Sequence, residues 1–260
     1  MRYTNAFRQG LMSAFFPRFF GVIFSVFLAV GGGQLSASSL FFEPFSYTVG
    51  DPLTGQGDGT GFGGAWSGGS TTITSAPLAP GANSVAIGNT DPAFRELSTT
   101  YSTAGNSYYV AFLCSLSNTS GAWAGVSFFS GGDEKLFFGI PLATNALGSD
   151  YPRTRMAMPI EQGTTYLVAY SVTGTGDEAT GNLAIKMWAT TDLGVDPAAL
   201  VSGIPSAESQ ETQANCSFDR IRLAGDYEPG AMKIQGLNAA TTLAEAVNAA
   251  VGKNSTAPSH

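Results

Sequence analysis

Histidine is nearly absent from this sequence, and cysteine is scarce. The single histidine is His260, the last residue, and the two cysteines, Cys114 and Cys216, lie far apart in the chain. A Ser-His-Asp or Cys-His arrangement needs an imidazole held against its nucleophile, and structural zinc sites need several closely spaced cysteines or histidines. The sequence therefore disfavours catalysis by such an arrangement and predicts no zinc site.

Basic residues are also few. The chain has 12 lysines and arginines against 19 aspartates and glutamates, which gives a formal net charge of −7. Three arginines lie within the first 38 residues, which contain no acidic residue, so the remainder has nine basic and nineteen acidic residues and a net charge of −10. Such a surface disfavours nucleic acid and anionic membranes as partners. We attribute the acidity to the solubility of an exported protein.

The N-terminal segment has the composition of an export signal. After the three arginines comes an uncharged apolar run over residues 19–30, followed by glycines and small residues. A membrane-spanning helix needs about 20 apolar residues, and this run is shorter. We predict a cleavable signal peptide over residues 1–38, with cleavage near Ala37 or Ser39; the alternative is an uncleaved signal anchor. The processed protein is then extracellular, on the cell surface or periplasmic, and has no membrane segment.

Export bears on the two cysteines. Exported proteins meet oxidising conditions in which a disulfide forms and persists, so one bridge between Cys114 and Cys216 is expected. The alternative is two separate buried thiols, and the sequence leaves both open.

Short apolar stretches rich in β-branched and aromatic residues recur along the rest of the chain between clusters of turn-forming residues. This pattern indicates roughly ten to fourteen strands, in one β-sandwich domain over residues 39–251. In the clearest strand, from Ser107 to Ser115, both faces are apolar, so the strand is either covered on both sides or borders a concave surface. Further strands are predicted at residues 40–45, 71–74, 84–87, 122–129, 135–140, 165–173, 183–190, 217–224 and 232–237.

The period of the apolar residues changes near the C-terminus. Thr242 and Glu245 have the spacing of a capping box, and Leu243, Val247 and Val251 recur every fourth residue. We therefore predict a short helix here, followed by a disordered tail over residues 252–260.

Several segments resemble one family in the same order along the chain. They are residues 42–47, 55–62, 65–66, 124–139, 218–223 and 236–244. The sequence resembles secreted bacterial proteins with concanavalin A-like (laminin-G-like) jelly-roll domains, which are common in planctomycetes and verrucomicrobia and often have a PEP-CTERM sorting signal. The resemblance implies an all-β, jelly-roll-like sandwich of two antiparallel sheets, and export. The chain stops at His260 without the usual hydrophobic C-terminal helix, which favours free secretion over sorting.

No motif for chemistry stands out. Glucanases of this fold carry their carboxylates at alternate positions of one strand, whereas the pairs Asp133-Glu134 and Asp177-Glu178 are adjacent and lie in predicted turns. The glycines of residues 59–64 match a dinucleotide fingerprint formally but have no helix after them, and we interpret them as a loop. Calcium is compatible with the fold, but no segment has a recognisable ligand spacing, so no cofactor or metal residue is assigned.

Aromatic residues are the remaining signal. Trp66, Trp123 and Trp188 could stack on sugar rings if exposed, although most aromatics in a large sandwich belong to the core. We expect a non-catalytic, exported binding or adhesion module that engages polysaccharide or another surface polymer. The alternatives are a structural component of the cell envelope or extracellular matrix and, third, a divergent glycan hydrolase.

Overall fold

The protein is a two-sheet β-sandwich with two short helices. A computed structural model describes residues 39–74, 77–87, 91–117, 123–141, 146–149, 156–209, 213–226 and 232–253. The predicted signal peptide and most of the predicted tail lie outside the described residues. The described residues form fifteen strands: β1 Ser39–Glu43, β2 Thr72–Thr74, β3 Ser84–Ile87, β4 Ala93–Ser102, β5 Ser107–Leu116, β6 Ala124–Ser130, β7 Asp133–Ile140, β8 Ala146–Ser149, β9 Met156–Pro159, β10 Thr165–Gly174, β11 Asn182–Thr190, β12 Ala207–Glu208, β13 Gln213–Ala214, β14 Ser217–Gly225 and β15 Met232–Ala240. The helices are α1 Pro197–Ser202 and α2 Leu243–Ala250.

All the strand pairings are antiparallel. One sheet has nine strands, in the order β12-β11-β10-β5-β15-β3-β2, with β1 also paired to β15 and β13 to β11. The other has six strands, in the order β4-β14-β6-β7-β8-β9. This architecture confirms the predicted all-β sandwich of two antiparallel sheets with a short C-terminal helix.

The main core lies between the two sheets. Tyr170 of β10 stacks on Phe138 of β7, with ring centroids 4.3 Å apart, and on Phe112 of β5 at 6.0 Å. All three side chains are fully buried. Burying one large apolar side chain stabilises a fold by about 1.5–3 kcal/mol, so this aromatic column joins the sheets strongly.

A second apolar cluster lies on the outer face of the nine-stranded sheet. Helix α2 packs there against β5, β10 and β15. The small side chains of Ala111 and Ala169 lie under the helix and let it approach the sheet closely. Strand β5 is therefore covered on both sides, which confirms the first of the two arrangements expected from its apolar faces. The buried residues of this cluster also include Leu113, Leu167, Leu243, Ala246, Val247 and Ala250.

Helix α2 begins as the sequence predicted. The Thr242 side chain accepts a hydrogen bond from the Glu245 backbone N–H at 3.4 Å, which satisfies one free donor of the first turn. The carboxylate of Glu245 does not complete the capping box. It accepts a hydrogen bond from the backbone N–H of Ser39 in β1 instead.

The disulfide expected between Cys114 and Cys216 is absent, and both thiols are free. The Thr103 backbone N–H donates to the Cys216 carbonyl, and the Cys216 backbone N–H donates to the Thr103 hydroxyl; Thr103 precedes the start of β5. Cys114 lies seven residues farther along that strand than Ser107, a distance of about 23 Å at the usual rise per residue. A disulfide requires Cα atoms within about 7 Å, so the second alternative, two separate thiols, is correct.

Strand prediction succeeded for the most apolar segments. All ten predicted strands are present, with bounds that differ by a few residues. The structure adds five strands and one helix that the sequence analysis did not predict: β4, β8, β9, β12, β13 and α1.

Candidate functional site

The outer face of the nine-stranded sheet is not an open groove in the part of the chain that the structure describes. Helix α2 covers its centre, and α1 packs against α2. Trp188 of β11 is 7% exposed, and its indole N–H donates to the Gly203 carbonyl at 3.4 Å, just after α1.

The outer face of the six-stranded sheet carries alternating arginines and aromatic rings. Strand β14 contributes Arg220 and Arg222, which lie on the same side because side chains alternate along a strand. In register, Arg220 faces Glu96 of β4 and Phe129 of β6, and Arg222 faces Phe94 of β4. We call this surface the arginine–aromatic face; it consists of Phe94, Glu96, Trp123, Ser127, Phe129, Glu134, Phe137, Arg220 and Arg222.

Cation–π contacts hold the two guanidinium groups between rings. The Arg220 guanidinium carbon lies 4.7 Å from the Phe94 ring centroid and 5.4 Å from that of Phe129. The Arg222 guanidinium carbon lies 4.8 Å from the Phe129 centroid and 5.0 Å from that of Trp123. Such contacts contribute about 0.5–1 kcal/mol each at exposed sites and more where water is excluded. They fix the orientation of long side chains that would otherwise move freely.

Trp123 forms one end of this row. Its ring stacks on Phe137 of β7, with centroids 5.2 Å apart and planes inclined by 20°. Phe137 is 1% exposed, whereas Trp123 is half-buried. Trp66 is 2% exposed and packs in the core, so Trp123 is the one tryptophan of the three that is only partly buried.

Carboxylates balance the two arginines. An Arg222 Nη atom lies 2.8 Å from Glu134 Oε1 and donates to Ser127 Oγ at 3.0 Å. An Arg220 Nη atom lies 3.7 Å from Glu96 Oε1. Partial burial lowers the pKa of Arg222, and the charge of Glu134 opposes this change. The Nε atoms of both arginines are buried without a hydrogen-bond partner among the described residues.

The carboxylates of this face do not form a glycosidase pair. Glu96 and Glu134 lie on β4 and β7, three strand spacings apart in the sheet, or about 14 Å. Retaining glycosidases need about 5 Å between their carboxyl groups, and inverting enzymes about 6.5–9.5 Å. Each of the two carboxylates is also paired with its own arginine.

The other adjacent acidic pair occupies a solvated turn, as the sequence predicted. Asp177 and Glu178 are fully exposed. Asp177 accepts from the Thr180 hydroxyl at 2.8 Å and from the Thr180 backbone N–H, which lower its pKa. The prediction of a turn is wrong for the other pair, because Asp133 and Glu134 are the first two residues of β7. Asp133 is exposed there, and Glu134 belongs to the arginine–aromatic face.

The glycine-rich segment has a structural role. Gly59 and Gly61 have φ values of +91° and +82° and lie against the backbone of β1, where a Cβ would overlap the carbonyl oxygens of Phe42 and Leu40. The segment is followed by irregular structure rather than a helix. The interpretation of residues 59–64 as a loop rather than a nucleotide site is consistent with this packing.

The described residues contain no group of three or more histidine, cysteine, aspartate or glutamate side chains placed to hold a metal ion. No helix within those same ranges is both long and apolar enough to cross a membrane.

Comparisons with known proteins give the fold alone. No protein-family profile and no curated sequence matches the chain. The structure is similar to the globular domain of T. cruzi calreticulin (TM-score 0.49, 12% identity, covering 81% of this chain and 91% of that one). It is also similar to domain 4 of the extracellular arabinanase AbnA from Geobacillus stearothermophilus, solved with arabinotriose (TM-score 0.47, 13% identity, 82% and 98% covered). A third similar structure is an HCR/D mutant (TM-score 0.50, 9% identity, 83% of this chain and 50% of that one).

Proposed function

We propose that this protein is an exported, non-catalytic module that binds carbohydrate through the arginine–aromatic face. The observation that carries the proposal is the half-buried Trp123 side chain, stacked on Phe137 and adjacent to the Arg222–Glu134 ion pair. An aromatic ring can stack on the apolar face of a sugar. The neighbouring guanidinium and carboxylate groups can donate to and accept from its hydroxyl groups.

The geometry of the face suits binding because it is already ordered. The guanidinium groups are held between rings, and Phe129 and Phe137 below them are 6% and 1% exposed. Immobilising a flexible side chain on binding costs about 0.5–1.5 kcal/mol, a cost that such packing reduces.

The remaining parts of the proposal come from the sequence and from the carboxylate geometry. The N-terminal segment has the features of a signal peptide, which supports export. The wide separation of Glu96 and Glu134, each neutralised by an arginine, supports a binding role rather than glycoside hydrolysis.

The test is binding of the processed domain, starting at Ser39, to a glycan array and to insoluble polysaccharides in a pull-down. We expect one carbohydrate class to be retained, and we expect Trp123→Ala to weaken its binding at least tenfold. Arg222→Met should weaken it as well. Ile204→Ala should not, because Ile204 is 93% exposed, follows α1 and is not part of the arginine–aromatic face. Urea unfolding of each variant reports whether the fold is retained.

Two results would contradict the proposal. One is a blank across broad glycan and polysaccharide panels. The other is a Trp123→Ala protein that binds as well as the unaltered domain. Sedimentation with envelope polymers that free sugars do not release would support the structural role instead.

A further inference from the structure

The start of β1 meets helix α2 at a polar junction. The Ser39 backbone N–H donates to the Glu245 carboxylate, and the Ser39 hydroxyl donates to Asn238 Oδ1 at 3.0 Å. The Asn238 side-chain amide in turn donates to the Glu245 carbonyl at 3.2 Å. Three elements, β1, β15 and α2, therefore meet at Ser39.

One oxygen of this junction lacks a donor. Glu245 Oε2 is buried and has no hydrogen-bond partner among the described residues. Desolvation by burial raises the pKa of Glu245, and the hydrogen bond from Ser39 opposes the change only in part. A buried acceptor without a donor costs about 1–3 kcal/mol, and more when it is charged.

A cavity beside the Glu245 carboxylate leaves space for additional hydrogen-bond donors. A cavity of about 310 Å³ adjoins the carboxylate. Glu245 is the only titratable side chain among its described lining residues, which are Ser39, Phe42, Thr60, Asn238, Glu245, Asn248 and Ala249. The lining supplies acceptors from Thr60, Asn238 and Asn248 but no cation.

The sequence places a cleavage site next to this nitrogen. Ser36 and Ser38 are the small residues at the third and first positions before Ser39, the pattern that a signal peptidase recognises. Cleavage between Ser38 and Ser39 leaves β1 complete. It converts the nitrogen that faces Glu245 from an amide with one N–H into an α-ammonium with three.

We propose that Glu245 is the binding site for the α-ammonium group of Ser39, formed when the leader is removed. The new charge and the two additional N–H donors satisfy Oε2, so processing strengthens the attachment of β1 to α2. The inference rests on the export part of the proposed function and is independent of carbohydrate binding.

The pH dependence of this ion pair has a definite sign. An ordinary α-amino group has a pKa of about 7.7–8.0, and the Glu245 carboxylate raises it in the folded state. While Glu245 is ionised, the pair therefore stabilises the fold fully below that ordinary pKa, and its contribution is lost as the pH rises through the raised pKa of the folded state.

The experiment combines two changes in purified protein, a free or an extended N-terminus and the substitution Glu245→Gln, in a double-mutant cycle. One preparation begins at Ser39 after cutting by a protease that leaves no extra residue; the other carries a ten-residue Gly-Ser extension, so that the nitrogen of Ser39 remains an amide. Glu245→Gln is made in both, with Glu161→Gln as a control because Glu161 is exposed and gives the same change in charge. Thermal unfolding is followed at pH 6.5 and pH 10.

At pH 6.5, Glu245→Gln should lower the Tm of the protein that begins at Ser39 by roughly 2–4 °C more than that of the extended protein. The difference should shrink at pH 10, and Glu161→Gln should show none. The α-amino pKa, measured from the pH dependence of N-terminal acylation, should be raised in the unaltered protein and ordinary in Glu245→Gln. Equal effects of Glu245→Gln in both preparations, or an ordinary α-amino pKa, would overturn the proposal.

Mass spectrometry of the exported protein tests the cleavage step separately. An N-terminus at Ser39 supports the proposal, and an N-terminus elsewhere refutes it for the natural protein even if the engineered terminus binds Glu245. Failure of carbohydrate binding would leave these outcomes unchanged, so the two proposals fail independently.

Discussion

Glu43 of β1 and Arg95 of β4 form an ion pair inside the sandwich, with side chains 0% and 2% exposed. Glu43 also accepts from the Trp66 indole N–H at 2.7 Å and from the Tyr47 hydroxyl at 3.0 Å. Arg95 donates to the carbonyl oxygens of Gly57 and Gly64, both at 2.8 Å. The pair thus fastens the glycine-rich segment to both sheets of the fold.

We expect single substitutions of this pair to be strongly destabilising. Arg95→Met or Glu43→Leu leaves one buried charge without its partner, which costs about 3–5 kcal/mol. The double variant should lose clearly less than the sum of the two losses, because neither charge is then left alone. Urea unfolding of the four proteins measures these values. Additive losses would show that the two side chains act independently.

The same pair explains why β4 was not predicted from the sequence. Ala93, Arg95 and Leu97 face the interior, while Phe94 and Glu96 face outwards. A charged residue at an inward position breaks the apolar alternation that marks a strand. Its compensating partner lies 52 residues earlier in the chain, beyond the reach of a local pattern.

The N-cap of α2 gives a second prediction. Thr242→Ala removes the side-chain acceptor for the Glu245 N–H and should lower the free energy of unfolding by about 1 kcal/mol. Thr242→Ser retains the acceptor and should cost much less. Chemical unfolding distinguishes the two, and equal losses would show that the methyl group of Thr242, rather than its hydroxyl, stabilises the helix.

The cysteines give a third prediction. Burial raises the pKa of Cys216 to about 11 and raises that of Cys114 as well, so little thiolate is present at pH 8. Native protein should therefore react slowly with thiol reagents, and denatured, unreduced protein should show two free thiols. Reductant should leave the Tm unchanged. A mass two hydrogens lower than that of the reduced chain would contradict the structure.

A fourth prediction concerns the support beneath the arginine–aromatic face. Gly125 of β6 pairs with Gly139 of β7; a Cβ at residue 125 would overlap the Phe138 carbonyl oxygen and would meet the Gly139 Cα and the Phe137 ring at 2.9 Å. Gly125→Ala should therefore cost about 1–3 kcal/mol and displace Phe137 from beneath Trp123, weakening carbohydrate binding.

Gly132→Ala is the matched control for this change. A Cβ there has no neighbour within 4 Å, so both stability and binding should be retained. Unfolding and pull-down measurements on the two variants test the prediction. Unchanged binding by Gly125→Ala would show that the Trp123–Phe137 stack is not required for the ligand.

The candidate site was only partly predictable. The sequence indicated tryptophans as possible sugar contacts, and one of three, Trp123, lies on an accessible surface. The arginines were missed because basic residues are scattered singly along the chain. Their convergence depends on register: Arg220 and Arg222 meet Phe94 and Phe129 only after β4 and β6 pair on either side of β14. No spacing within one segment encodes such a cross-strand row.

Because helices cover the nine-stranded sheet, the outer surfaces of the two sheets differ in their chemistry. One broad surface is closed by α2 and α1, and the opposite one displays cations and rings. A copy adsorbed on a flat polymer through the second surface would point its helices away from that polymer. A coating of such copies would present a uniform helical exterior to the surrounding medium, with each molecule attached in the same orientation.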